Sequence, residues 1–149
     1  MATLRMDHVG VIVDDLEPAI AFFAELGMER EGEASVEGPW VDRVNAIDDV
    51  RVDIVMMRTP TGEGRLELTR FRNPAVGGPT DSPPNTRGLR SVMFAVDDVD
   101  DVVSRLQPHG GELIGEIVEY DEVYRLCYLR GPGGMIVSLA QDLRPTRAR

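Results

Sequence analysis

The stretch HVGVIVDDLEPAIAFFAELGMEREGE, residues 8–33, returns as SVMFAVDDVDDVVSRLQPHGGELIGE, residues 91–116, and needs no gap to align. Val9 meets Val92, Val13 meets Val96, and Asp14 and Asp15 meet Asp97 and Asp98. Further along, Ile20 meets Val103, Phe23 meets Leu106, Gly27 meets Gly110, and Gly32 and Glu33 meet Gly115 and Glu116. Self-similarity at a fixed spacing marks a duplicated supersecondary unit. His8 is the exception: the one residue here able to bind a metal or move a proton at neutral pH meets Ser91.

Each copy opens on an apolar, β-branched run, residues 4–13 and 89–96, which predicts a strand. Each run ends at an Asp pair whose second member can cap a helix by accepting from its unpaired first-turn N–H groups. Leu16, Ile20, Phe23 and Leu26 then share one helical face, as do Val99, Val102, Val103 and Leu106. Pro18 falls in a first turn, where a missing N–H costs little, and Gly27 and Gly110 stand where helices end. Period-two patterns predict further strands near 28–36, 50–58 and 65–71, and near 112–119, 124–130 and 135–140. The fold class expected is α+β, two tandem βαβββ modules forming a cleft between curved mixed sheets, in one domain over 1–142. Module one covers 4–71 and module two 89–142. The linker 72–88, rich in proline and glycine, cannot be a helix or an inner strand.

An apolar share of 42% supports a core, and 28% charged residues are ordinary for a globular chain. A net charge of −10 opposes contact with nucleic acid or an anionic membrane. The only basic cluster is the tail 143–149, which reads as frayed and solvated. A lone cysteine, Cys127, makes no internal disulfide and alternates like a strand residue, so a reducing, cytoplasmic setting is expected. No stretch has signal-peptide or membrane-spanning character.

The two βαβββ patterns, the openings DHVGVIVDDLEPAIAFFAELGM and GLRSVMFAVDDVDDVVSRLQPHGGEL, the strand GRLELTRF and the closing RGPGGMIVSLAQ together resemble the vicinal oxygen chelate superfamily. That group includes glyoxalase I, methylmalonyl-CoA epimerase, fosfomycin- and bleomycin-resistance proteins and extradiol dioxygenases. The resemblance covers residues 5–142 and implies four metal ligands, one from the first and one from the last strand of each module. Carried over, they fall on His8, Glu67, Ser91 and Ser138, so half of the expected set is replaced by serine. Strand parity agrees: Leu66 and Leu68 turn to the helix while Glu67 and Thr69 turn away, and Val137 and Leu139 do the same with respect to Ser138 and Ala140.

Three roles are open to His8 and Glu67. They can hold a divalent ion (zinc, nickel, iron, manganese or cobalt) with water or substrate filling the other positions, act as a metal-free acid–base pair, or line a pocket that binds without chemistry. An oxygenase is disfavoured, because its iron wants a second histidine and the other one, His109, belongs to a helix end. Candidate ligand contacts are Trp40, Met56, Ser91, Met93, Tyr120, Tyr124 and Ser138. Trp40 lies in a Gly-Pro-interrupted loop that suits a wall or lid, and Tyr120 and Tyr124 flank an acidic turn. The expected function is a glyoxalase-like lyase or isomerase acting on a small carbonyl or enolisable substrate, as a homodimer or a monomer. The alternative is a metal-free protein of bleomycin-resistance type that sequesters a small molecule.

Overall fold

The structure, a computed structural model, describes residues 2–145, so residues 146–149 of the expected basic tail lie outside the described residues. It is a mixed α+β chain of two compact units, divided between Gly78 and Pro79, and each carries one mixed sheet.

In the first unit the elements are β1 (Val9–Ile12), α1 (Leu16–Glu25), β2 (Glu29–Glu37), α2 (Pro39–Asn45), β3 (Arg51–Arg58) and β4 (Arg65–Asn73). The sheet order is β1-β4-β3-β2, with β1 parallel to β4 and the other pairs antiparallel. Asp15 caps α1, its carboxylate accepting from the Glu17 N–H, and Gly27 follows the helix at φ 109°, a conformation that other residues avoid. The helix buries Ala19, Phe22 and Phe23, the two rings edge to face, on the side of the sheet that carries Val11, Val55, Met57, Leu66 and Leu68. Leu66 and Leu68 are buried as parity predicts.

The second unit repeats the plan with β5 (Ser91–Ala95), α3 (Val99–Leu106), β6 (Glu112–Leu113), β7 (Val118–Tyr120), β8 (Tyr124–Arg130) and β9 (Ile136–Asp142). Its order is β5-β9-β8-β6, with β7 also on β8, and β5 runs parallel to β9 in the register of β1 on β4. Asp98 caps α3 by accepting from the Asp101 N–H at 3.0 Å. Val99, Val102, Val103 and Leu106 are buried from that helix, and Cys127, Leu129, Val137 and Leu139 from the sheet beneath it. The segment 74–90 contains neither helix nor strand, as its prolines require.

Three expectations change. The opening strand spans only Val9–Ile12, and Leu4 and Met6 are exposed, because residues 2–8 pair with no strand. The run 112–119 is broken into β6 and β7 around Gly115, at the place where the aligned Gly32 follows a bulge in β2. The first unit also inserts a helix, α2, so its pattern is βαβαββ, and Trp40 sits on that helix rather than in a loop. Proline at its start and Gly38 before it set the entry, while Asp42 fixes the exit by accepting from the Asp49 and Val50 N–H groups at 3.0 and 2.8 Å. Val41 packs with Val50 and Val52, and with Val36, Ile54 and Phe71 around them, so α2 covers part of the sheet face turned away from α1.

Candidate functional site

What α2 leaves uncovered is the end of that face carrying His8, Gly10, Glu67 and Met56. Gly10 pairs with Glu67, Glu67 with Met56 and Met56 with Gly32, so these four residues form one row across the sheet. His8 Nε2 lies 3.3 Å from Glu67 Oε2 at the head of that row. The other ring nitrogen, Nδ1, is 2.7 Å from Asp7 Oδ2. Asp7 also accepts from Arg5 Nη2 at 2.8 Å and from Arg65 Nη1 at 3.3 Å. The hydrogen bond to His8, the one to Arg5 and the charge of Arg65 hold the Asp7 carboxyl below its ordinary value. An ionised carboxylate only accepts, so Nδ1 carries the donated proton and Nε2 faces Glu67. In the neutral ring two lone pairs then oppose each other across 3.3 Å, an arrangement favourable only with a proton or a cation between them.

Glu67 is held from its other oxygen by the Thr69 hydroxyl, which donates to Oε1 at 3.3 Å. Thr69 turns away from the helix with Glu67 but is 5% exposed, because it pairs with Ile54 next to the cluster under α2. The side chains of His8 and Glu67 keep 35% and 29% of their accessible surface, so both are reachable by a ligand. Trp40 is 58% exposed and its helix neighbour Val44 is 75% exposed.

In the second unit the matching row is Met93, Ser138 and Tyr128. Ser138 takes the position of Glu67; it is 1% exposed and its Oγ has no hydrogen-bond partner. Met93 and Tyr128 on either side keep 58% and 39% of their surface. Ser91, at the position of His8, is exposed. Tyr120 and Tyr124 pair across the hairpin that closes through Asp121 and Glu122. The Tyr124 hydroxyl accepts from Arg144 Nη2 at 2.9 Å, and that guanidinium stacks on its ring, so this phenol is engaged by the chain itself. Arg144 in turn pairs with Asp142 at 2.7 Å and depresses that carboxyl to about 2.

This duplicated plan is matched over residues 5–139 by the family described as the Glyoxalase/Bleomycin resistance protein/Dioxygenase superfamily. A crystal structure of a glyoxalase-family protein from Bacillus cereus is 47% identical, with 97% of this chain and 99% of that one covered at a TM-score of 0.91. The chain belongs to this superfamily. Solved structures under 25% identical share the fold alone. One is an antibiotic-binding protein from Streptomyces sp. CB03234, 24% identical at TM-score 0.58 over 95% of this chain and 98% of that one. Another is a variant of the fosfomycin resistance protein FosX from Listeria monocytogenes, solved with Mn(II) and 1S,2S-dihydroxypropylphosphonic acid. It is 16% identical at TM-score 0.60 over 92% of this chain and 89% of that one. No curated protein matches the sequence.

Relatives of this kind raise the question of a divalent ion. The first unit fits two positions of one: a ring whose Nδ1–H is given to a carboxylate presents Nε2 in the form metals take, with an ionisable carboxylate 3.3 Å away. The second unit has neutral hydroxyls at the two matching positions, and among the described residues no three His, Cys, Asp or Glu are grouped so that they could hold a metal ion. The sequence reading missed Asp7, Arg65 and Tyr128. It missed Asp7 because a strand beginning at residue 4 would send residues 7 and 8 to opposite faces, whereas β1 begins only at Val9.

Proposed function

We propose that this superfamily member is a glyoxalase-like lyase or isomerase that moves a proton on a small carbonyl or enolisable substrate, with Glu67 and His8 as its acid–base pair. The observation that supports this is the aligned series Asp7, His8 and Glu67, spaced 2.7 and 3.3 Å apart on the exposed end of one sheet face. Glu67, ionised, would take the proton from the carbon beside the carbonyl. His8, entering the step as an imidazolium with Nδ1–H on Asp7, would give its Nε2 proton to the carbonyl oxygen, which leaves a neutral ring, a protonated Glu67 and a neutral enediol that can be reversed to either isomer. In place of that proton, a divalent ion held by His8 and Glu67 would supply polarisation of the same oxygen, with His8 then a ligand and not the acid. Asp7 orients the ring whether the partner on Nε2 is a proton or a cation.

A second reading, sequestration of a small molecule without chemistry, is supported by the uncharged row of Met93, Ser138 and Tyr128 in the second unit. Either activity belongs, on our reading, to a cytoplasmic homodimer: Leu4, Met6 and Leu89 are apolar and 75% or more exposed, and Cys127 is a free thiol.

The test is hydrogen–deuterium exchange of the α-protons of 2-hydroxyacetophenone in D2O, followed by NMR. The protein should accelerate exchange, and the His8→Ala and Glu67→Gln variants should each lose about 10²-fold or more. Exchange at the buffer rate in the wild-type protein refutes the enzymatic reading; binding of the ketone without exchange favours sequestration.

A further inference from the structure

Gly10 is a glycine with no structural need to be one. Its φ lies outside the left-handed region, and a Cβ built on it meets nothing within 4 Å. Glycine inside a strand costs stability, because its unfolded backbone is the freest and it contributes no side chain to the sheet. The repeat supplies an internal control. Met93 occupies the same place in β5, paired with Ser138 as Gly10 is paired with Glu67, and the strand is formed there equally well. Neither the backbone nor the neighbours of Gly10 therefore explain it.

We infer that Gly10 is a specificity-determining gap, through which the flat, conjugated part of a carbonyl ligand lies against the peptide planes of β1 and β4 with its carbonyl at His8 and Glu67. This rests on the acid–base reading of that pair. Ile12, 45% exposed and two residues along the same face of β1, and Met56, beyond Glu67, give apolar contact on either side of the gap. Adjacent strands stand about 4.8 Å apart, so an aryl ring laid beside Glu67 over Gly10 touches backbone where any side chain would hold it off. A bulky, tetrahedral ligand gains nothing from such a gap, which is why the class is planar.

The experiment is titration of the wild-type, Gly10→Ala, Gly10→Val and Gly77→Val proteins with 2-hydroxyacetophenone. The Gly10, Ile12 and Glu67 amide signals are followed by NMR, with thermal midpoints and light scattering on each protein. Gly77 is also sterically open but lies far from the row in sequence, in the linker. We expect Gly10→Val to weaken binding about 10-fold or more, Gly10→Ala less, and Gly77→Val not at all, with thermal midpoints of the Gly10 variants equal to or above wild type. Unchanged affinity in Gly10→Val overturns the inference. So does a fall in its thermal midpoint, which would make the glycine structural, or a change of oligomeric state, which would put another chain over it. Absence of binding to the wild-type protein overturns it as well. Weakened binding in a protein that shows no α-proton exchange leaves the inference standing and removes only the enzymatic reading.

Discussion

Replacing Ser138 by alanine should stabilise the free protein. Its hydroxyl is 1% exposed and no donor or acceptor meets its Oγ, in the row where the first unit has a carboxylate fixed by Thr69. A buried polar group without a partner costs about 1–3 kcal/mol. Removing one oxygen atom returns part of that as lost contact, about 1 kcal/mol or less for so small a volume. The net gain is therefore about 1 kcal/mol, which for a chain of this size raises the thermal midpoint by roughly 2–4 °C. Urea denaturation of the ligand-free protein reads it as a higher midpoint at unchanged slope. If Ser138→Ala is instead less stable by about 1 kcal/mol, the hydroxyl is satisfied in solution and the reasoning fails. A variant that is more stable yet binds the ketone less well would show that the serine is kept for its ligand at the expense of stability.

Four other outcomes follow from the same structure. In Arg144→Ala the Asp142 carboxyl, observed by NMR titration, should return from about 2 toward 3.8. Because the folded-state value is the lower one, the stability it contributes is present above 3.8 and lost as pH falls toward 2, and the variant should lack that part of the acid dependence. Asp98→Ala should cost about 1 kcal/mol in denaturant unfolding, since it removes the acceptor at the start of α3. Glu122→Gly should raise stability by about 0.5–1 kcal/mol, because Glu122 sits at φ 54°, where a side chain is strained. Cys127 should resist thiol reagents in the folded protein and react on unfolding, since burial pushes its thiol up, with Asp100 adding to the effect.

Elements whose local chemistry and burial agree were legible in the sequence. Asp15 and Asp98 cap their helices, Gly27 and Gly110 follow at positive φ, and the alternation around Leu66, Leu68, Val137 and Leu139 names the helix-facing side of both sheets. Legibility failed where one local pattern admits two geometries. Residues 39–45, PWVDRVN, carry a proline and a tryptophan that suit a loop, yet one buried valine over Val50 and Val52 is enough to settle a two-turn helix there. Leu4 and Met6 look like strand residues, but no neighbouring strand supplies their hydrogen bonds, and apolarity alone does not make a strand. Alternation would also set Asp7 apart from His8, but both precede β1, so it does not govern them.

The duplicated halves diverge most where their shared fold constrains them least. At the helix-facing positions of each repeat the side chains remain apolar: Val11 with Phe94, Leu66 with Val137, Leu68 with Leu139. In the row on the opposite face, Gly10, Glu67 and Met56 stand where the other unit has Met93, Ser138 and Tyr128. One row pairs a gap with a charge, and the other pairs bulk with a small neutral group. Strand pairing does not explain the difference between Gly10 and Met93, because β1 on β4 and β5 on β9 pair in the same register. A site that had merely decayed would be expected to lose its costly features first, yet the first unit retains an exposed strand glycine and a histidine held between two carboxylates. That retention is the physical reason to propose the chemistry on the first unit.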